Sequence, residues 1–300
     1  MVSAVARISR VSSTPRMRID GHTRVFFVLG HPVGQVRAPE VFNPLFQAHG
    51  VNAVLLPAEV APGRLEAFVR GSLAAGNIEG LWLTIPHKSA VMPLLHRVDA
   101  LGERAGAVNA LRRAADGSLE GALFDGLGLV RSLDQLQVAT CGRRVLLVGT
   151  GGAGVAIAVS LAERRLAHLS LFDTALDRAQ ALAQRLRAGA ACPVHAAVSN
   201  DPAGFDLVIH ATPLGLKADD PLPFDVSRLD AGASVVDILM KPNATPLQRA
   251  CEARGIAVHP GFEMLAQQVP AYLRFFGFKA IAESVEADLA PVRRSLSALS

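Results

Sequence analysis

Aromatic residues are scarce in this chain: one Trp, one Tyr and 13 Phe in 300 residues. Charged residues are also few, at 19%, while 50% of the chain is hydrophobic. Its cores must therefore be built mainly from Ala, Val and Leu, as in many α/β proteins, and no disordered or fibrous class fits. The three cysteines, Cys141, Cys192 and Cys251, are widely spaced and odd in number, which indicates neither a disulfide framework nor a zinc site. A reducing cytoplasm is the expected setting. No apolar run reaches the ~18 residues needed to cross a bilayer, so no membrane partner is expected. No basic stretch interleaves with aromatics either. The formal charge of +4 comes from arginines spread along the chain, and nucleic acid is not an expected partner.

What is present is length and order. At 300 residues the chain exceeds the roughly 100 to 200 residues of one domain, so two compact units are expected. The opening "MVSAVARISRVSSTPRMRI" has four Arg, four Ser, one Thr and no acid. That is also the composition of a mitochondrial presequence, but a tail, or an upstream start with Met17 as the true one, is the preferred reading. From Arg24 onward, strand-like runs ("RVFFVLG", "NAVLLPAEV", "IEGLWLTI") alternate with helical spacing ("APEVFNPLFQAHG", "GRLEAFVRGSLAAG"). A second alternating series begins at "RRVLLVGTGGAGVAIAVSLAERR". Such alternation predicts βαβ units around mainly parallel sheets.

"GTGGAG" places Gly149, Gly151 and Gly154 in G-x-G-x-x-G spacing, between a β-run and a helix. The first glycine permits a tight turn, the second lets backbone approach a pyrophosphate, and the third lets helix and strand pack closely. The helix N-terminus, from Gly152 and Ala153, would present free N–H groups to phosphate. Asp173 ends the next strand, about 20 residues on, where an acid accepts ribose hydroxyls and repels a 2′-phosphate. NAD is therefore the expected cofactor and NADP the alternative, since Arg178 is near in sequence.

"LTIPHKSAV" raises a different question, because Lys88 follows a buried strand end. A buried ammonium costs desolvation unless it is paired or moves protons; the plain alternative is a surface lysine at a helix start. Asn109 in "AGAVNAL" and Asp125 in "GALFDGLG" are polar in apolar settings. Asn109 could cap a turn, and Asp125 could cap a helix beginning near Leu127. His87 could assist proton transfer, with helix capping or solvent contact the simpler role. His31, His210 and His259 have no metal-ligand spacing, and no metal is assigned.

With these pieces the chain resembles the shikimate/quinate dehydrogenase family. "GHPVGQVRAPEVFN", "LTIPHK", "AGAVNAL", "FDGLG", "GTGGAG", "HATPLG", "VDILMKPNATPL" and "GFEMLAQQ" occur in the family's order, from Val25 to about Gly277. The resemblance implies two α/β domains with a cleft between them: residues 23–124 with 262–300 for substrate, and 125–261, Rossmann-type, for the dinucleotide. Residues 1–22 would be a flexible tail. It implies Lys88 and Asp125 as the catalytic pair, and Thr84, Asn109 and Gln268 as contacts to substrate hydroxyls. Thr174, Thr212, Ile238 and Gly261 join the glycine turn and Asp173 as expected cofactor positions.

The chain departs from the family at the substrate. Two serines that usually hold the substrate carboxylate are replaced by Val36 and Ala38, an Asn by Trp82, and a Tyr by Met240. A hydrogen bond to a charged group is worth roughly 1.5 to 3 kcal/mol, so losing two costs about two to four powers of ten in affinity unless something replaces them. The four replacements are all apolar, which predicts a pocket for a cyclic alcohol less polar than shikimate or held differently. A true shikimate or quinate dehydrogenase, with Arg37 or Gln35 holding the carboxylate, and a non-catalytic metabolite sensor are the competing expectations. A monomer or homodimer acting on a small molecule is expected.

Overall fold

The computed structural model describes residues 19–217, 219–241 and 243–297; the expected N-terminal tail lies outside them through residue 18, as does Met17. In chain order the elements begin β1 (Arg24–Gly30), α1 (Ala38–Ala48), β2 (Ala53–Glu59), α2 (Leu65–Ala74), β3 (Ile78–Leu83), α3 (His87–Ala90), β4 (Arg97–Val98), α4 (Ala100–Ala105), β5 (Ala110–Arg113) and β6 (Leu119–Ala122). Next come α5 (Asp125–Gln135), β7 (Arg144–Val148), α6 (Gly152–Ala162), β8 (His168–Phe172), α7 (Leu176–Arg187), β9 (Val194–Ala196), β10 (Leu207–His210), β11 (Ser234–Asp237), α8 (Pro246–Glu252) and β12 (Ala257–Pro260). The chain closes with α9 (Phe262–Phe275), α10 (Lys279–Ala287) and α11 (Ala290–Ser297).

The strands form two six-stranded sheets, so the fold is two-domain α/β. The first runs β2-β1-β3-β5-β6-β4. Its first three strands are parallel, whereas β5 pairs antiparallel with both β3 and β6. The expectation of a mainly parallel arrangement missed this hairpin, whose strands are only four residues each, although Asp116-Gly117 marks its turn. The second sheet runs β12-β11-β10-β7-β8-β9, parallel throughout. Read from its far edge this is the doubly wound order in which the chain reverses direction between β7 and β10, and ligands bind at the strand ends beside such a reversal.

Helices cover both faces of each sheet, which explains the near-continuous apolar strands such as "RVLLV". α6 is buried nearly all round, from Ala156 to Ala162, whereas α7 turns only Ala179, Leu182, Ala183 and Leu186 inward. The scarce aromatics are not spread evenly. Ten of the fifteen belong to one cluster between the first sheet and α1, α9 and α10, with Phe26, Trp82, Tyr272 and Phe276 at its centre. The run "AYLRFFGF", which could read as an exposed patch, supplies Tyr272 and Phe276 to this core. Between the sheets lies α5, packed on α6 and on α9. Among the described residues, no helix is long and apolar enough to cross a membrane.

Candidate active site

β3 ends at Leu83 and the chain turns sharply into α3. Thr84 donates its N–H to the Leu29 carbonyl at 2.9 Å and accepts from the His87 N–H at 2.8 Å, which pins the turn at both ends. Lys88 then emerges from the first turn of α3, 8% exposed. Its Nζ donates to Oδ2 of Asp125 at 2.5 Å, and Asp125 is 7% exposed. The pairing answers the desolvation problem, since each charge supplies the other's lost solvation. Asp125 is the first residue of α5, with Phe124 at the cap position, two residues earlier than the expected helix start. A carboxylate there also meets the positive end of the helix dipole.

Behind the pair, buried Asn109 joins three elements. Its Oδ1 accepts from the Phe124 N–H at 3.0 Å, its Nδ2 donates to Oε1 of Gln268 on α9 at 3.4 Å, and its carbonyl accepts from the Tyr272 hydroxyl at 3.4 Å. Burial, and then the nearby Asp125 charge, push the Tyr272 hydroxyl well above its ordinary pKa, so it stays protonated. Sequence reading passed over Tyr272. Its position four residues after Gln268, on the same face of α9, was the available signal.

In front of the pair is a cavity of about 210 Å³. Thr84, Lys88, Asp125 and Gln268 line it together with Val36, Ala38, Trp82 and Met240. The structure thus brings to one cavity all four positions where the chain departs from the family, whereas Asn109 is not part of its lining. Arg37, Tyr272, Ala153 and Ile238 complete the part of the lining that matters here. A larger hollow of about 620 Å³ lies at the β4 side of the first sheet. Its arginines are already engaged, Arg97 with Asp116, Arg112 with Glu120 and Arg274 with Glu286.

His87 neither caps its helix nor meets solvent. It is fully buried, and its Nε2 lies 2.7 Å from the Val60 carbonyl, so Nε2 carries the proton and donates. Burial lowers its pKa, against a smaller opposing effect of that carbonyl. His210 is likewise buried, with Nδ1 3.0 Å from Asp237 and Nε2 2.6 Å from the Thr212 hydroxyl. Among the described residues no group of three or more His, Cys, Asp or Glu could hold a metal ion.

The glycine turn joins β7 to α6. Gly149 has φ +102°, a conformation that favours glycine, and a Cβ on Gly154 would stand 2.0 Å from the Gly149 carbonyl. At Gly151 nothing would lie within 4 Å of a Cβ, and α6 has no side-chain cap. Open space and uncapped N–H groups suit a pyrophosphate, so the residues present fit a dinucleotide. Asp173, at the end of β8, accepts from the N–H and hydroxyl of Thr150, both at 2.8 Å, and from the Ala175 N–H at 3.0 Å. Burial alone would raise its pKa, but these donors and Arg178, 3.7 Å away, hold it below the ordinary carboxylate value. Thr174 beside it is exposed. Gly261 precedes α9 against the backbone of Ile238, which a Cβ would meet at 2.2 Å. The two halves of the site touch at Gly152, where a Cβ would lie 3.3 Å from Cδ of Lys88.

Residues 28–111 match the family described as the shikimate dehydrogenase substrate binding domain. Over 285 residues the chain is 38% identical to the shikimate dehydrogenase (NADP(+)) of Rubrobacter xylanophilus, an alignment covering 93% of this chain and 98% of the relative. Among solved structures, shikimate dehydrogenase from Aquifex aeolicus superposes with a TM-score of 0.82 at 26% identity, covering 93% of this chain and 99% of that one. Quinate dehydrogenase from Corynebacterium glutamicum, in complex with NAD, gives 0.76 at 27% identity, covering 88% and 99%.

Proposed function

This chain belongs to the shikimate/quinate dehydrogenase family and is an NAD(P)-dependent oxidoreductase of that type, and from that premise we propose that it interconverts a cyclic secondary alcohol and its ketone, with Lys88 and Asp125 as the proton-exchanging pair. The observation that carries this reading is the 2.5 Å contact between Lys88 Nζ and Asp125 Oδ2 at the wall of a cavity whose other wall reaches the glycine turn. A bound nicotinamide supplies the hydride acceptor for the carbinol carbon. The protein supplies the rest: Lys88 passes its ammonium proton to the Asp125 carboxylate, and the amine so formed takes the hydroxyl proton as the carbonyl forms; the same transfers run backwards in reduction. Gln268 and Thr84, beside the pair, orient further oxygens of the ring. Asn109 holds Gln268 in place from behind.

Val36, Ala38, Trp82 and Met240 leave the cavity without the hydroxyl clamp that serves a carboxylate in the family, so the substrate is held differently from shikimate. The competing reading is turnover of shikimate or quinate itself, which the 38% identity to a shikimate dehydrogenase favours. Absorbance of the reduced nicotinamide, with shikimate, quinate and carboxylate-free cyclic alcohols as substrates, separates the two. Preference for the neutral alcohols supports the altered pocket; rapid oxidation of either acid overturns it.

For the cofactor, NAD is the proposed partner. What supports it is Asp173 at the end of β8, a carboxylate kept ionised by its donors at the chain position where an acid accepts ribose hydroxyls and repels a 2′-phosphate, with Arg178 3.7 Å away as the opposing charge. The Rubrobacter relative is named for NADP(+), so the proposal is open to direct refutation. A kcat/KM for NADP above that for NAD removes it.

A further inference from the structure

α5 carries two buried glycines that open toward different neighbours. Gly126 faces α6, whereas Gly128, one turn beyond Asp125 and on the same side of the helix, faces α9. A Cβ on Gly128 would stand 2.4 Å from Cγ of Gln268, 3.0 Å from its Nε2 and 2.5 Å from the Met264 carbonyl. The Gln268 side chain therefore fills the space that any side chain at position 128 would need. Glycine is a poor helix former, so its presence in mid-helix calls for a reason, and the space taken by Gln268 supplies one.

The direction of the Gln268 amide is set from behind. The Phe124 N–H can only donate, so the Asn109 atom it meets at 3.0 Å is Oδ1, and Nδ2 of Asn109 is left to donate to Gln268 at 3.4 Å. Gln268 thus gives Oε1 to Asn109 and keeps Nε2, a donor, for another partner. That nitrogen has no acceptor among the described residues, and it is not sealed from solvent. Gln268 lines the cavity together with Lys88 and Asp125, whereas Gly128 does not.

We propose that Gly128 is a positioning residue for the substrate: by lacking a side chain it lets Gln268 lie against α5, in reach of Asn109, with its amide N–H turned to a ring oxygen. The inference rests on the reading above that Gln268 orients such an oxygen. Because Gly128 stands outside the lining, its influence on the substrate runs through Gln268. A methyl group at position 128 would force the amide off α5 and away from Asn109, and the ring oxygen would lose its donor. The Met264 carbonyl offers a plainer role, since glycine there also lets the backbones of α5 and α9 approach, and the test must separate the two.

Shikimate, quinate and carboxylate-free cyclic diols are assayed by absorbance of the reduced nicotinamide, and the best substrate is followed in wild type, Gly128→Ala, Gln268→Ala and the double variant. One hydrogen bond is worth about tenfold in affinity. Gly128→Ala and Gln268→Ala should each raise KM by about tenfold with a smaller fall in kcat. The double variant should be no worse than Gln268→Ala alone, because both substitutions remove the same contact. A glycine needed only for the helix crossing would leave KM unchanged or raise it equally in both backgrounds, and either result would overturn the proposal while leaving the dehydrogenase reading intact. If wild type oxidises no ring alcohol, the dehydrogenase reading fails instead. Urea denaturation then reads the same cycle without substrate: Gly128→Ala should lower the midpoint less when residue 268 is alanine, and an equal fall in both backgrounds overturns the proposal. Should Gly128→Ala not fold, folding of the double variant supports the proposal, and its failure assigns the glycine to the Met264 carbonyl and overturns it.

Discussion

At the scale of single residues, the buried ion pair makes the sharpest demands. Lys88→Ala is expected to lower turnover by roughly 10² to 10⁴, the usual contribution of a positioned proton acceptor, while dinucleotide binding, followed by fluorescence, stays within a few-fold. Loss of both would mean that the site had collapsed. Asp125→Asn leaves the ammonium buried without its counter-charge, and breaking such a pair costs about 3 to 5 kcal/mol. Its thermal midpoint should fall by several degrees as well as its kcat; an unchanged midpoint would show the pair to be solvated. Lys88 and Asp125 were both legible in the sequence, because each is a charge in an apolar stretch. Tyr272 was not, since an aromatic in an apolar run reads as packing until its neighbours are known.

Elements carry the cofactor half of the site. Gly154→Ala would set a methyl group 2.0 Å from the Gly149 carbonyl, and either the turn opens or α6 moves off β7. Dinucleotide affinity should drop at least tenfold by calorimetry, while the first sheet keeps its fold. Gly126→Ala tests a different seam. Its Cβ would lie 2.1 Å from the Ala156 carbonyl, where α5 crosses α6. Overpacking of this kind costs about 1 to 3 kcal/mol, so chemical denaturation should show a lower midpoint. The glycine turn could be read from sequence because strand, spacing and helix agreed. The crossing of α5 on α6 could not, since nothing in "FDGLGLV" says which helix will approach its glycines.

For the whole molecule the relevant quantity is stability against pH. Burial lowers the pKa of His87, His168 and His259 from the ordinary 6.5. In the unfolded chain these rings take up protons at pH values where the folded protein does not, so their contribution is complete above about 6.5 and is lost as pH falls through the window below it. Carboxylates held low, such as Asp173 and Glu263, lose theirs only near and below their ordinary values of 3.8 and 4.5. The thermal midpoint should therefore be flat from pH 8 to 7 and begin to decline near 6.5, before acid unfolding proper. His87→Gln keeps a donor for the Val60 carbonyl without a titrating ring and should flatten part of that decline; an unaltered profile would exclude His87 as a contributor.

By itself the sequence determined the alternation of strands and helices, the glycine turn, and the placing of Lys88 and Asp125 at element ends, because periodicity and isolated charges are local signals. It also marked Val36, Ala38, Trp82 and Met240 as departures, since that needs only a comparison of positions. Only the tertiary structure decided that these four line one cavity with the ion pair, since they come from segments up to 204 positions apart. The packing of α9 behind Asn109 likewise had no sequence signal, whereas the hairpin of β5 and β6 had one in Asp116-Gly117 at its turn. Whether a polar atom finds a partner depends on what the folded chain brings within 3.5 Å of it, and that is a property of packing.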